Sequence, residues 1–146
     1  MREYTIITRD PIDPEALIAL VSDRMYGAMA TFFGLVRSPN KRQAVLHIDY
    51  EGYDAMIETQ MRAIVEELRA HFEIGRVAIA HRLGRLRPGE VSVAIAISSR
   101  HRKEALAACQ EGIDRIKERL PIWKYEVTEE GAGWVPGISV ASEETI

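Results

Sequence analysis

Two long stretches of this chain have apolar residues at helical spacing, and short strand-like segments precede, separate and follow them. In both stretches the apolar residues recur every three or four positions, which is typical of a helix with one buried face. Such helices must be covered by another layer, so the order of elements predicts an α+β fold with two long helices packed on a mixed, mostly antiparallel sheet. The stripes are Ile57, Met61, Ile64, Val65, Leu68 and Phe72 in the first stretch, and Leu106, Cys109, Ile113, Ile116 and Leu120 in the second.

The remaining elements are predicted from turn residues and alternation. Asp13 and Pro14 suit the N-cap and first position of a short helix that ends near Ser22. The run 27–37 is apolar without alternation, which predicts a strand covered on both faces, and Gly34 indicates a bulge or a close backbone approach. We predict further strands at 4–8, 44–51, 75–83, 90–98, 122–128 and 134–135.

The length and the 47% apolar composition predict a single domain, assigned to residues 1–137. The last nine residues, 138–146, contain two glutamates and no basic residue, and we expect them to form a weakly ordered tail.

Positive charge is concentrated between Arg100 and Lys124, with seven Lys or Arg against four Asp or Glu, a formal +3. The whole chain has a net charge of −3, so the remainder carries −6. Clustered like charge repels itself unless a ligand or partner relieves it. The pattern therefore predicts a site for an anion.

Several classes of function are disfavoured by the sequence. The chain lacks the broad basic surface of a duplex nucleic-acid binder, and it has no phosphate-binding loop or dinucleotide fingerprint. The four histidines are far apart and Cys109 is the single cysteine, so no metal site and no cofactor are predicted. Cys109 is interpreted as a small core residue. Charges near the first residues and the absence of a long apolar run predict a soluble, cytoplasmic protein.

Three places hold candidate anion-binding or catalytic residues. Arg37 ends an apolar strand, and His101 and Arg102 lie where a strand meets a helix N-terminus, which favours anions. Lys117 and Lys124 flank the helix-ending Pro121, so the chain can turn back and bring both amines to one side. Two adjacent ammonium groups lower each other's proton affinity, which makes one lysine a usable base or nucleophile.

Each of these features is also compatible with an ordinary solvent-exposed charge. Arg102 and Lys117 can be exposed helix residues, Lys124 an outward strand residue, and Arg37 one half of a surface ion pair. His47 and His81 are interpreted as strand residues with satisfied hydrogen bonds. Trp123 is equally compatible with a core position and with an aromatic lid.

Short motifs follow one another in a fixed order between residues 4 and 135. They are Gly27-Ala28, Thr31-Phe32, Gly34-Leu35-Val36-Arg37, Tyr50-Glu51-Gly52-Tyr53, Met56, Gly75-Arg76-Val77, His81-Arg82-Leu83-Gly84, Pro88-Gly89-Glu90, Ser99-Arg100-His101-Arg102, Ile116-Lys117, Pro121-Ile122-Trp123-Lys124 and Gly133-Trp134-Val135. This series resembles the catalytic (large) subunit of molybdopterin synthase.

The resemblance implies an α/β hammerhead fold and a sulfurtransferase of molybdenum-cofactor biosynthesis. The family converts cyclic pyranopterin monophosphate (precursor Z) to molybdopterin. The sulfur comes from the C-terminal Gly-Gly thiocarboxylate of a small ubiquitin-like partner. The resemblance also implies a homodimer of large subunits within a heterotetramer, with a small subunit at each end.

The resemblance assigns roles to individual residues. Arg37, His101 and Arg102 would bind the substrate phosphate and pterin, and a contribution from both large subunits is left open. Lys117 and Lys124 would act at the thiocarboxylate and the reacting carbons. Four further residues would line the substrate site: Leu35, Val36, Tyr125 and Glu126.

The chain departs from the family pattern at one point. The family usually has an arginine a few residues beyond the Trp-Val pair, whereas this chain reads Pro136-Gly137-Ile138 and has no basic residue from Tyr125 to Ile146. The departure motivates an alternative function, a non-catalytic dimeric module that binds anions or serves as a scaffold.

Overall fold

A computed structural model describes residues 2–135 of the chain. Three helices and eight strands follow one another within these residues. In chain order they are β1 (Glu3–Thr8), α1 (Pro14–Val21), β2 (Ala28–Leu35), β3 (Val45–Glu51), α2 (Asp54–His71), β4 (Val77–Arg82), β5 (Gly84–Leu86), β6 (Val91–Ser99), α3 (Arg102–Arg119), β7 (Trp123–Thr128) and β8 (Gly131–Val135).

The strands form two four-stranded sheets. The first has the order β1-β4-β6-β2, with β1 parallel to β4 and the other pairs antiparallel. The second has the order β5-β3-β7-β8 and is antiparallel throughout. The predicted α+β class with mostly antiparallel pairing is confirmed, and the strands are divided between two sheets.

The first sheet lies between two layers of helix. Successive residues of a strand point to opposite faces, and here the two faces differ in side-chain size. One face consists of alanines that pack under the short helix α1 with Leu17 and Val21. The other presents larger aliphatic residues to α2 and α3: Val77, Ile79, Val93, Ile95 and Ile97. The two long helices therefore cover one face, as predicted.

Helix boundaries agree well with the sequence patterns. Asp13 caps α1 by accepting hydrogen bonds from the Glu15 and Ala16 amides at 3.0 and 3.4 Å, and Pro14 is its first residue. In α2 the predicted stripe is buried from Ile57 to Leu68. No described helix, within residues 2–135, is both long enough and apolar enough to cross a membrane.

The predicted stripe of α3 is wrong at one residue. Leu106 is 61% exposed, and the helix faces the sheet with the small residues Ala105, Ala108 and Gly112. A Cβ on Gly112 would lie 2.5 Å from the Ile95 side chain, so the helix approaches the sheet too closely for a larger residue. Leu106 points away from the sheet because the small residues form the contact between α3 and the sheet.

The prediction that 27–37 is covered on both faces is wrong for this chain. β2 is an edge strand, and Met29 and Leu35 on it are 40% and 52% exposed. Gly34 fulfils both expectations for it: the register with β6 shifts between Gly34 and Leu35, and a Cβ on Gly34 would lie 2.7 Å from a Val93 methyl.

Two connections differ from the sequence interpretation. Residues 84–89, which lie between two predicted strands, contain the short strand β5, because the chain leaves the first sheet at Gly84, with φ of +92°, and joins the second. The last strand begins at Gly131, so the turn before it is shorter than expected. The predicted tail, 138–146, and the departure at Pro136-Gly137-Ile138 lie outside the described residues.

Candidate active site

Lys124 is a buried residue in the middle of the second sheet. Its side chain is 8% exposed, so it is not an outward strand residue. Lys124 pairs with Tyr50 of β3, and its Nζ lies 5.7 Å from the centroid of the tyrosine ring. The contact is a cation–π interaction, which partly offsets the free-energy cost of removing the ammonium group from water.

Lys117 reaches the same place from the last turn of α3. After the helix ends, Pro121 turns the chain back into β7, and both lysines line one cavity. The cavity has about 20 Å³ of water-accessible volume, room for one water molecule. Its other lining residues are Tyr50, His81, Val93, Ile116, Leu120 and Ile122.

Burial lowers the proton affinity of both amines. The pKa of Lys124 falls to about 8, first because of burial and then because of the positive charges of Lys117 and Arg37, while Glu126 acts in the opposite direction. The pKa of Lys117 is also lowered by burial. A lysine with a pKa near 8 has an appreciable neutral fraction near neutral pH and can accept a proton.

His81 is the titratable cavity residue that comes from the first sheet. It is 7% exposed, and its Nδ1 lies 2.9 Å from the Arg82 carbonyl oxygen. Its ring meets the Tyr50 ring edge to face, with centroids 5.6 Å apart. Burial lowers the pKa of His81 to about 4, with smaller contributions from Lys117 and Lys124, so its ring is neutral at pH 7. Burial also raises the pKa of Tyr50 to about 12.

The segment Leu35–Arg37 lies at the end of β2. Val36 is buried and exchanges backbone hydrogen bonds with the turn before β6, donating to Glu90 and accepting from Gly89 at 3.0 and 2.7 Å. Leu35 and Arg37 are exposed on either side of it. Arg37 is close enough to Lys124 for its charge to lower the pKa of that lysine. Arg37 therefore lies near the lysine pair and acts on it through its charge.

His101 and Arg102 lie at the other end of α3. His101 is the N-cap and Arg102 the first helical residue, and both side chains are exposed. Fifteen residues separate Arg102 from Lys117, which is about 22 Å along a helix axis. The two candidate clusters are therefore not part of one pocket within a single chain.

Tyr125 and Glu126 follow Lys124 in β7 and lie on opposite faces of the strand. Tyr125 packs edge to face on Trp134 of β8, with centroids 5.0 Å apart. The Glu126 carboxylate accepts a hydrogen bond of 2.9 Å from the Asn40 side-chain amide. Trp123 is 53% exposed, so it is not a core residue.

The structure adds two residues that the sequence interpretation did not place in the site: His81 and Tyr50. Strand alternation places His81 on the same face of β4 as the apolar residues Val77 and Ile79, and this pattern predicts that His81 is buried. Nothing in the local pattern indicates that β3, β4 and β7 meet at one cavity, because these contacts join two sheets.

No group of three His, Cys, Asp or Glu residues is arranged to hold a metal among residues 2–135. Cys109 is buried, as predicted, and burial raises the pKa of its thiol to about 11. The thiol therefore stays protonated near neutral pH and is a weak nucleophile there.

Known proteins resemble this chain over most of its length. Residues 7–119 match the family model described as MoaE protein. The molybdopterin synthase catalytic subunit of Bacillus subtilis is 40% identical over 129 residues, covering 88% of this chain and 82% of the relative. That of Pyrococcus abyssi is 41% identical over 123 residues, covering 84% and 83%.

A crystal structure of molybdopterin synthase from Staphylococcus aureus superposes with a TM-score of 0.86 at 35% identity, covering 90% of this chain and 96% of the other. The chain therefore belongs to the MoaE family, the catalytic subunits of molybdopterin synthase.

Proposed function

We propose that this chain is the sulfurtransferase subunit of a molybdopterin synthase and that sulfur transfer takes place at the cavity of Lys117 and Lys124. The observation that carries the proposal is that two lysines share one buried cavity and that both have lowered pKa values. Burying two like charges is costly, and such groups are typical of functional sites.

The proposed substrates suit a cationic site. Cyclic pyranopterin monophosphate and a thiocarboxylate are both anions, and the lysines and Arg37 provide the opposite charge. In its ammonium form, one lysine would stabilise negative charge on the acyl oxygen of the thiocarboxylate. In its neutral form, the other would accept a proton during sulfur addition. These two roles require different protonation states, which a coupled pair can supply near neutral pH.

We also propose that the phosphate is bound by His101 and Arg102 of a second large subunit. The separation of about 22 Å along α3 argues against one chain supplying both clusters. The exposed apolar side chains of the edge strand β2, including Met29 and Leu35, offer a surface for a second copy.

The sulfur donor is proposed to be a small ubiquitin-like protein with a C-terminal Gly-Gly thiocarboxylate. The relatives are named as catalytic subunits, a name that implies a further subunit in those enzymes. An extended Gly-Gly tail has no side chains, so it needs only a narrow path to approach the two lysines. We further propose a cytoplasmic location and a single domain over residues 1–137.

The test is conversion of purified precursor by Lys117→Ala in the presence of the thiocarboxylated partner. We expect no molybdopterin from the variant, with a circular dichroism spectrum and partner affinity like those of the unmodified chain. Arg62→Ala is the control, because it removes a cation from an exposed position on α2. Near-normal turnover by Lys117→Ala would refute the catalytic assignment. A scaffold would bind the partner and yield no product even without substitution.

A further inference from the structure

His81 is a buried titratable residue that the proposed chemistry does not use. It lies in β4, in the row of residues that faces α2 and α3, and its register partner in β6 is Val93. Both residues line the cavity of Lys117 and Lys124. His81 and Val93 thus bring the first sheet to a site that α3 and the second sheet also line.

The hydrogen bond of His81 determines its tautomer. The Arg82 carbonyl oxygen, 2.9 Å from Nδ1, can only accept a hydrogen bond, so Nδ1 carries the proton. In a neutral imidazole the other nitrogen, Nε2, is then an acceptor. Burial and the two nearby ammonium groups keep the ring neutral, since the pKa of His81 is lowered to about 4.

The cavity has more donors than acceptors among its side chains. Lys117 and Lys124 are donors when charged, and most other lining residues are aliphatic. The Tyr50 hydroxyl is already hydrogen-bonded to Ser92. Outside the cavity lining, Arg37 and Glu126 act on Lys124 through their charges. Nε2 of His81 is thus an uncharged acceptor at this cavity, in addition to the Tyr50 hydroxyl oxygen.

We propose that His81 is a positioning residue for the lysine pair, with Nε2 accepting a hydrogen bond from a lysine ammonium through one water molecule held in the cavity. The cavity has room for such a water. The hydrogen bond stabilises the charged amine and fixes its direction relative to the thiocarboxylate. This inference rests on the proposed function, because it assumes that sulfur transfer takes place at this cavity.

The tautomer is tested first, on the unsubstituted chain. Nitrogen-15 spectra of its histidine side chains between pH 5 and 8 are expected to show one ring protonated at Nδ1 and unprotonated at Nε2 throughout this range. A buried ring protonated at Nε2 would overturn the proposal without any substitution.

The effect on the lysines is tested by titrating their ε-carbon signals. The sequence has four lysines, and the exposed Lys41 and Lys103 serve as internal references for Lys117 and Lys124. His81→Leu removes the acceptor and is expected to lower the pKa of Lys117 or Lys124 by about half a unit or more. His81→Gln offers an amide oxygen in its place and is expected to restore most of that shift.

His47→Leu is the matched control, because His47 is a partly buried strand residue that pairs with Asp49 outside the cavity. It should leave all four lysine titrations unchanged. If His81→Leu does not fold, His81→Phe replaces it as a ring without an acceptor. Unchanged lysine titrations in the folded variant that lacks the acceptor would overturn the inference.

The kinetic readout separates this inference from the proposed function. His81→Leu is expected to lower kcat with little change in KM for the precursor, because His81 acts on the amines and does not touch the phosphate. Absence of turnover by the unsubstituted chain with its partner would refute the proposed function. Normal turnover together with lysine titrations that do not respond to His81 would refute the inference alone.

Discussion

The two ends of helix α3 carry cations in opposite environments. At its C-terminal end Lys117 and, beyond the turn, Lys124 line a small cavity whose lining is half aliphatic, and both have lowered pKa values. At its N-terminal end His101 and Arg102 are exposed beside the backbone amides of the first turn. Lysine can lose its proton when buried, whereas an arginine stays charged.

This contrast supports the proposal that the two ends of α3 have different roles. A buried amine that exchanges its proton near neutral pH is suited to chemistry, and an exposed, permanently charged group at a helix N-terminus is suited to binding an anion. Cations that are concentrated in one stretch of sequence therefore do not necessarily form one site. Here the folded chain separates its two parts by the length of α3.

The largest expected effects are on kcat and KM, and they differ between substitutions at the two ends of α3. Lys124→Met should lower kcat by about a thousandfold, within the range typical of lost acid–base groups. Arg102→Ala should mainly raise KM for the precursor, by about ten- to a hundredfold, as expected for one charged hydrogen bond. Steady-state rates with varied precursor measure both, and equal effects on kcat would remove the distinction.

Mixed dimers test whether the two ends act across subunits. Lys117→Ala and Arg102→Ala chains, co-expressed with different affinity tags, should give heterodimers with one intact site and one doubly defective site. With precursor well below KM, we expect such heterodimers to have about half of the normal activity per dimer, far above either parent homodimer. Heterodimers no more active than the Arg102→Ala homodimer would show that each chain uses its own arginine.

A smaller effect concerns stability against pH. The pKa of Lys124 is lowered to about 8 from 10.5, so the unfolded chain binds more protons between these values. Stability from this residue therefore rises with pH from 8 to 10.5, and the destabilisation is greatest below pH 8, where both states are charged.

Denaturant titrations of the unsubstituted chain and Lys124→Met measure that effect. The difference between them should change by about 1–3 kcal/mol in favour of the unsubstituted chain between pH 8 and 10. Tyr50 and Cys109 also titrate differently in the folded state at alkaline pH, and taking the difference largely removes their contributions. A pH-independent difference would contradict the burial of a charged Lys124.

Local patterns were sufficient for much of the fold. The stripe of α2 and the Asp13-Pro14 cap depend on residues close in sequence, and the structure has both. Leu106 was misassigned because packing of Gly112 against Ile95, a contact between distant segments, decides which face of α3 is buried.

The site was less predictable for the same reason. The resemblance pointed to Lys117 and Lys124, but not to His81, which reaches the cavity from the other sheet. The distance between Lys117 and Arg102 follows from α3 being one unbroken helix. The departure from the family pattern beyond Val135 lies outside the described residues.

A crystal structure of the chain with cyclic pyranopterin monophosphate bound would locate the reaction. We predict the reacting carbons beside Lys117 and Lys124 of one subunit, and the phosphate on His101 and Arg102 of the other. A phosphate held within the lysine cavity, or a precursor bound away from both lysines, would contradict the proposed roles of the two ends of α3.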